Sequence, residues 1–368
     1  ICQSLKAILN QSKYKCNLYL SPHLQSFTER FVYNNEEIDE ENLINLLEDI
    51  EKILGDNPAT LFEILTCAYL KQCEEFKDNI TIIEAGLFHQ FDSTNIFKKN
   101  LASILGSIGL DHLKWIKNKT IDGVIYEKTV KLLNSNIFVN KQENNKIILK
   151  IQKALENNQS KKYFCDVDFN ILRFENNFIQ YEDDLGSILL PEPSVLGDHQ
   201  LGNISTSIAV ARKLFNTKDQ DIKKGITKIE LKGRLQEITS GKLKDLVGYN
   251  RLFCDGGHNE NSSRAIANWI KQQNQNVHLI VGMMKDKDHK NFIYNLKHYV
   301  KSITLIDIPN QNGSISKEEL KKKLNGIEIN INLENSIKDS VMSMSKNQND
   351  ICLFIGSLYL VGEVLKLN

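Results

Sequence analysis

The sequence predicts an α/β protein of two domains, and three observations carry that prediction. Its 368 residues exceed the usual size of a single domain. Short β-branched runs alternate with longer amphipathic stretches, the pattern of parallel βαβ units. A polar stretch around 216–228 separates two such alternations, which sets a boundary near residue 229 and gives domains of 1–228 and 229–368.

In the first domain the apolar spacing of Ile1, Leu5, Ile8 and Leu9 puts one buried face on a helix already under way at the first residue. Strands are expected at 17–20, 80–84 and 104–108, and helices at 41–54, 61–76 and 121–133. Residues 160–185 read differently: short runs at 163–169 and 178–181, separated by Asn and Asp, suggest a small antiparallel patch on the main sheet. In the second domain strands are expected at 252–254, 278–281, 303–306 and 352–355, and helices at 262–272, 317–324 and 358–367, a smaller Rossmann-like arrangement.

Composition narrows the class. Hydrophobic residues make up 41% and charged residues 25%, ordinary for a globular chain with a real core. Forty-six basic residues balance forty-six acidic ones, so no global field points to nucleic acid or a membrane surface as partner. Lys, Asn and Ile are plentiful and carry little information singly; three of the six Arg (Arg30, Arg234, Arg264) fall in segments discussed below. Seven cysteines, odd in number and without C-x-x-C spacing, read as reduced thiols of a cytoplasmic protein, neither a disulfide framework nor a zinc site. The longest apolar run, 351–362, is too short to cross a bilayer, and the amino end has no signal-peptide pattern.

Polar clusters follow the expected strands, where open α/β sheets hold their ligands. Ser21-Pro22-His23-Leu24, with Phe27, Glu29 and Arg30, is a strand-to-turn junction or a loop that takes a substrate's carboxylate. Glu84 ends a buried strand and is followed by Gly86 and Asp92, a usual way to hold Mg²⁺ on nucleotide phosphates; Asp92 reads equally as a helix cap. His112 ends the next strand and, with Glu84, makes a two-point metal site if the strands are neighbours. Lys128, beside Glu127, is by itself an exposed helix residue. Gly197-Asp198-His199-Gln200-Leu201-Gly202-Asn203 opens an apolar helix, with Gln200 and Asn203 spaced to face one ligand. The strongest local signal is Cys254-Asp255-Gly256-Gly257-His258-Asn259. There an apolar strand ends in an acid, two glycines and two polar side chains before a helix whose free N–H groups favour an anion. A G-x-G-x-x-G fingerprint is absent, which argues against a dinucleotide. Lys285-Asp286-Lys287-Asp288 and Gly356-Ser357-Leu358-Tyr359-Leu360-Val361-Gly362-Glu363 follow later strands and are ordinary alone.

In order, these segments resemble the folylpolyglutamate synthase/dihydrofolate synthase branch of the Mur ligase family over nearly the whole chain. Further matches are Thr60-Leu61-Phe62-Glu63, Gly109-Leu110-Asp111-His112 and Gly233-Arg234-Leu235-Gln236. The resemblance implies a P-loop-type ATPase domain followed by a glutamate-ligase domain. It implies ligation of L-glutamate to tetrahydrofolate or dihydropteroate through an acyl phosphate, with ATP as co-substrate, by a protein monomeric at full length. It carries over Ser21, Pro22 and His23 as substrate-binding, Glu84 and His112 as Mg²⁺ ligands, and Lys128 as a carbamylated lysine. Asn203 would contact adenine, Arg234 the ATP phosphates, and Asp255 and His258 the nucleotide.

Three departures stand out. Phe88-His89-Gln90 replaces the family's Gly-Gly-Arg, Lys232 and Gly257 are mild changes, and the Gly-x-x-Gly-Lys-Ser phosphate loop expected ahead of the first helix is not in the sequence. The chain therefore reads as truncated before or through that loop and inactive alone. Two alternatives to the ligase are a non-catalytic remnant or binding module, and a peptidoglycan-type Mur ligase.

Overall fold

The computed structural model describes residues 1–174, 178–344 and 349–368. It divides into two compact units, Ile1–Ser194 with Gln200–Glu230, and Val195–His199 with Leu231–Asn368.

The first unit opens with α1 (Cys2–Gln11), which buries Leu5, Ile8 and Leu9. β1 (Cys16–Tyr19), β2 (Phe31–Tyr33), β3 (Glu36–Glu37), α2 (Glu40–Leu54), α3 (Leu61–Cys73) and β4 (Ile80–Ile83) follow. The strands form one sheet, β3-β2-β1-β4, in which only β4 pairs in parallel. α2 starts where Asp39 accepts the Asn42 N–H, and α3 where Thr60 and Glu63 cap each other. Both helices press Leu43, Leu46, Leu65 and Tyr69 onto Tyr19, Phe31 and Tyr33.

A second sheet carries two successive βαβ units: β5 (Ser103–Leu105), α4 (Ile121–Thr129), β6 (Asn136–Val139), α5 (Asn145–Ala154) and β7 (Lys161–Phe164), with strand order β5-β6-β7, all parallel. Then β8 (Phe169–Arg173), β9 (Ile179–Asp183) and β10 (Gly186–Leu190) form an antiparallel sheet of their own, β10-β9-β8. The 160–185 stretch is thus not a patch on the main sheet: its first run continues the parallel sheet as β7. In β9, buried Ile179 and Tyr181 alternate with half-exposed Gln180 and Glu182, as in a sheet covered on one face. Residues 175–177, within that stretch, lie outside the described residues.

Other differences concern element ends. The strand expected at 104–108 stops at Leu105, because the Ile108 N–H donates to the Gln142 side chain. α3 passes into a 3₁₀ turn, Glu74–Phe76. α4 ends at Thr129, short of 133, where the Thr129 hydroxyl turns back to Ile125 O at 2.7 Å. α6 (Asp198–Leu214) is followed by α7 (Asp219–Ile226), a helix inside the polar stretch around 216–228. It buries only Ile222, Gly225 and Ile226, too short an apolar face to be read from spacing. At Gly225 the helix meets α1 so closely that a Cβ would lie 2.6 Å from Ile8 Cα.

The second unit contains β11 (Gln236–Ile238), α8 (Lys242–Val247), β12 (Arg251–Asp255), α9 (Glu260–Lys271), β13 (Val277–Val281), α10 (His289–Tyr294), β14 (Ser302–Leu305), α11 (Lys317–Lys323), β15 (Ile331–Leu333), α12 (Ile337–Met342), β16 (Ile351–Ile355) and α13 (Leu358–Leu367). Its sheet runs β11-β12-β16-β13-β14-β15, with β11 alone antiparallel. The central strands are continuous apolar runs, as a sheet covered on both faces requires. Asp255 pairs in register with Ile355, and Ile355 with Val281, so three carboxyl ends line up. At the opposite edge Asp350 accepts from His278 Nε2 at 3.1 Å and Asn276 Nδ2 at 3.0 Å, while His278 Nδ1 lies 2.7 Å from Ser302 Oγ. This clasp fastens the starts of β13, β14 and β16. No helix among the described residues is long and apolar enough to cross a membrane.

Two stability outcomes follow. Gly225→Ala should cost about 1–3 kcal/mol by forcing α7 off α1, measured as a lower urea midpoint; an unchanged midpoint would show that the helices yield freely. Burial raises the Asp350 pKa, but the bonds from His278 and Asn276 and the charges of His278 and Lys301 outweigh it and leave the pKa lowered. A depressed folded pKa stabilises above the unfolded value of ~3.9, and that stability is lost as pH falls through the still lower folded pKa. Asp350→Asn should therefore cost about 1–3 kcal/mol at neutral pH and flatten the acid limb of a stability–pH curve; equal acid limbs would remove Asp350 from that account.

Candidate active site

In the second unit the side chains gather where β12 ends. Asp255 is 4% exposed. Its Oδ2 accepts the Leu235 N–H at 2.7 Å and its Oδ1 the Gly257 N–H at 2.6 Å. Burial pushes its pKa up, against the pull of the Arg234 charge, the two N–H bonds and His199. Arg234 is exposed between Gly233 (φ +65) and Leu235 (φ +44), and the Gly256 N–H donates to Gly233 O at 2.9 Å. A Cβ on Gly256 would lie 2.2 Å from Leu358 and 3.3 Å from Arg234 Nη1; one on Gly257 would meet the Asp255 carboxylate and Ser262. Bare backbone is what lets the guanidinium lie against this turn.

His258 donates from Nδ1 to Gly256 O at 3.0 Å, and Asn259 caps α9 reciprocally with Ser262. Arg234, Asp255 and His258 are thus brought together around the amino end of a 12-residue helix, an anion-binding arrangement. His199 joins them: burial lowers its pKa, chiefly against the Asp255 charge. Sequence reading had noted His199 only as part of a helix opening.

In the first unit the Ser21-Pro22-His23-Leu24 loop is tied down at both ends. The Ser21 N–H donates to Glu84 Oε2 at 2.9 Å. Glu29 accepts the N–H groups of Leu24, Gln25 and Ser26 at 2.8, 3.1 and 3.3 Å. Arg30 Nε donates to His23 Nδ1 at 2.9 Å, and the His23 ring rests 4.2 Å from that of Phe27. Glu29 and Arg30 matched the family in sequence, but their task of shaping this loop was not legible there.

Glu84 also marks where α1 begins: burial first, then the Glu84 charge, raises the Cys2 thiol to about 11. α6 reaches the same end, with Ser207 Oγ donating to Ile1 O at 3.1 Å. On α6 the Asn203 amide is engaged within the chain, accepting from Asn140 Nδ2 at 2.8 Å and donating to Gln200 Oε1 at 2.9 Å.

Lys128 is half-buried on α4, not on a fully exposed face. Burial lowers its pKa, while the charges of Asp111 and Asp92 pull it up. Its Nζ lies 5.6 Å from the centre of the Phe88 ring, which in turn stands 6.5 Å from His112. Phe88 sits at φ +56, backbone that favours glycine, where the family has Gly. Asp92 caps no helix: it closes the 87–94 turn by accepting the Leu87 N–H at 2.7 Å and the Thr94 N–H at 3.0 Å.

Glu84 follows β4 and His112 follows β5, and those strands belong to different sheets rather than being neighbours. Among the described residues no group of three or more His, Cys, Asp or Glu side chains could hold a metal ion. The condition that the sequence set for a two-point site, neighbouring strands, is therefore not met, and the pairing of Glu84 with His112 rests on the family resemblance.

Residues 233–358 match the Mur ligase glutamate ligase domain. A dihydrofolate synthase/folylpolyglutamate synthase of Haemophilus influenzae is 26% identical over 385 residues, spanning 98% of this chain and 84% of that protein. The structure of Escherichia coli FolC in complex with ADP, without folate substrate, has 25% identity and a TM-score of 0.86 over 99% of this chain and 85% of its own. That of a Yersinia pestis bifunctional folylpolyglutamate synthase/dihydrofolate synthase, complexed with AMPPNP and Mn ion, shares the fold at 23% identity and a TM-score of 0.86, over 99% and 85%. Residues 233–358 thus carry a Mur ligase glutamate ligase domain, and along nearly its whole length the chain is similar to dihydrofolate synthase/folylpolyglutamate synthases.

Proposed function

We propose that this chain is an ATP-dependent ligase that joins L-glutamate to the carboxyl group of a folate or dihydropteroate, acting in the cytoplasm as a monomer. The observation that carries the reading is the Arg234, Gly256 and His258 arrangement at the amino end of α9, inside the segment that matches a glutamate ligase domain. Relatedness along 98% of the chain to a protein named for this activity supports it.

The chemistry is a phosphoryl transfer followed by an acyl transfer. An acceptor carboxylate oxygen bonds to the γ-phosphorus of ATP as the bond to ADP breaks. The neutral amine of glutamate then attacks the carbonyl carbon, inorganic phosphate leaves with the bonding pair, and the amine's extra proton passes to water. Such steps need positioning and neutralised charge rather than a protein nucleophile. We assign residues 1–228 to ATP and the acceptor: Ser21, Pro22 and His23 hold the acceptor, Asn203 the adenine. Residues 229–368 take the glutamate and, through Arg234 and His258, the phosphates. Glu84 and His112 would hold a Mg²⁺, which when bound neutralises phosphate charge. Lys128, carbamylated only if that site assembles, would help to place the metal.

ADP release measured on protein from the full reading frame tests the function. It should require ATP, L-glutamate and either dihydropteroate or tetrahydrofolate; no release with either acceptor overturns the reading. Lys128→Ala should lower the rate about 10²-fold, as loss of a charge-positioning group does, with partial rescue by high acetate. A rate equal to wild type would take Lys128 out of the site.

A further inference from the structure

We propose that Asn140 is a positioning residue: it locks the Asn203 amide with its oxygen and nitrogen in the one arrangement that pairs with adenine and opposes guanine. The inference rests on the reading of Asn203 as the adenine contact and carries it further, to which base is refused. Asn140 directly follows β6 and is 3% exposed. α6 is seated on this strand end at Gly202, where a Cβ would stand 3.2 Å from Lys141 Cβ and 3.4 Å from Asn140 Oδ1.

A side-chain amide can turn over and exchange its oxygen for its nitrogen with little change of shape, so what it reads depends on what fixes it. Here a backbone group does so. The Lys141 N–H, which can only donate, bonds to Asn140 Oδ1 at 2.8 Å. Asn140 Nδ2 is thereby turned to Asn203 Oδ1 at 2.8 Å, with Ser107 Oγ as a second acceptor at 3.4 Å. Asn203 Nδ2 in turn donates to Oε1 of buried Gln200 at 2.9 Å. Turning Asn203 over would set two NH₂ groups face to face at one end and two oxygens at the other. Among buried groups such mismatches are costly.

These bonds use half of what the Asn203 amide offers. One acceptor position on Oδ1 and one hydrogen on Nδ2 remain, on a side chain that is only half-buried. Adenine answers with an exocyclic N–H donor beside a ring-nitrogen acceptor. Guanine carries an oxygen in place of that amine, which would face Oδ1; an amide turned over would suit it better.

Calorimetric binding of AMPPNP and GMPPNP to the full-length protein tests this. The wild type should bind AMPPNP ~10–100-fold more tightly, the value of one bidentate base contact. Asn140→Asp keeps the shape but has no donor for Asn203, so it should turn that amide over and cut the preference ~10-fold. In an Asn203→Ala background it should leave the preference as it is. If Asn140→Asp weakens both nucleotides alike or neither, Asn140 has only a structural role and the proposal is overturned. An equal narrowing in the Asn203→Ala background overturns it too. If Asn140→Asp does not fold, Asn140→Ala decides: the preference should narrow ~3–10-fold, and an unchanged preference overturns the proposal. A preference that is absent from the wild type, or that survives Asn203→Ala, would remove the adenine role of Asn203 and this inference with it, leaving glutamate-dependent ADP release to judge the ligase reading separately.

Discussion

A carboxylate shut away from water must find its donors in the chain, and Asp255 finds them in two backbone turns at once. Most of the second unit's site geometry descends from that necessity. The Leu235 N–H draws in the turn that bears Arg234, and the Gly257 N–H draws in the turn that opens α9. Both turns then tolerate no ordinary side chain at Gly256 or Gly257. The apolar strands β12, β16 and β13 supply the dry surroundings that make the donors obligatory, so core and site are one electrostatic problem.

The second unit was legible because its signals are local and redundant. Continuous apolar runs gave the central strands, and Cys254-Asp255-Gly256-Gly257-His258-Asn259 announced a strand, a close backbone approach and a helix cap in six residues. Which partners Asp255 would choose was not legible, since Leu235 lies twenty residues upstream, in the turn ahead of an antiparallel strand that no period marks. The first unit was harder to read. Its strands are two to five residues long, and α7 buries a face too small for a spacing argument. The loop-shaping work of Glu29 is visible only once three backbone N–H groups converge on it.

Phe88 shows a different limit. The family resemblance marks it as a departure from glycine but gives no reason for it. In the fold its ring lies near both Lys128 and His112, trading a strained backbone for a ring that faces a half-buried cation. The same substitution leaves no guanidinium at Gln90. This chain thus surrounds Lys128 with the Phe88 ring and the charges of Asp92 and Asp111.

The close seat of Gly225 on Ile8 joins residues near opposite ends of the first unit. On a ribosome α1 leaves the exit tunnel long before α7 exists, and at 5–20 residues per second the interval is roughly 10–45 seconds. Throughout that time the Ile8 side of α1 has no native cover, and any apolar surface nearby can compete for it. Newly made chains of this protein therefore hold the α7-facing side of α1 without its native partner until late in synthesis.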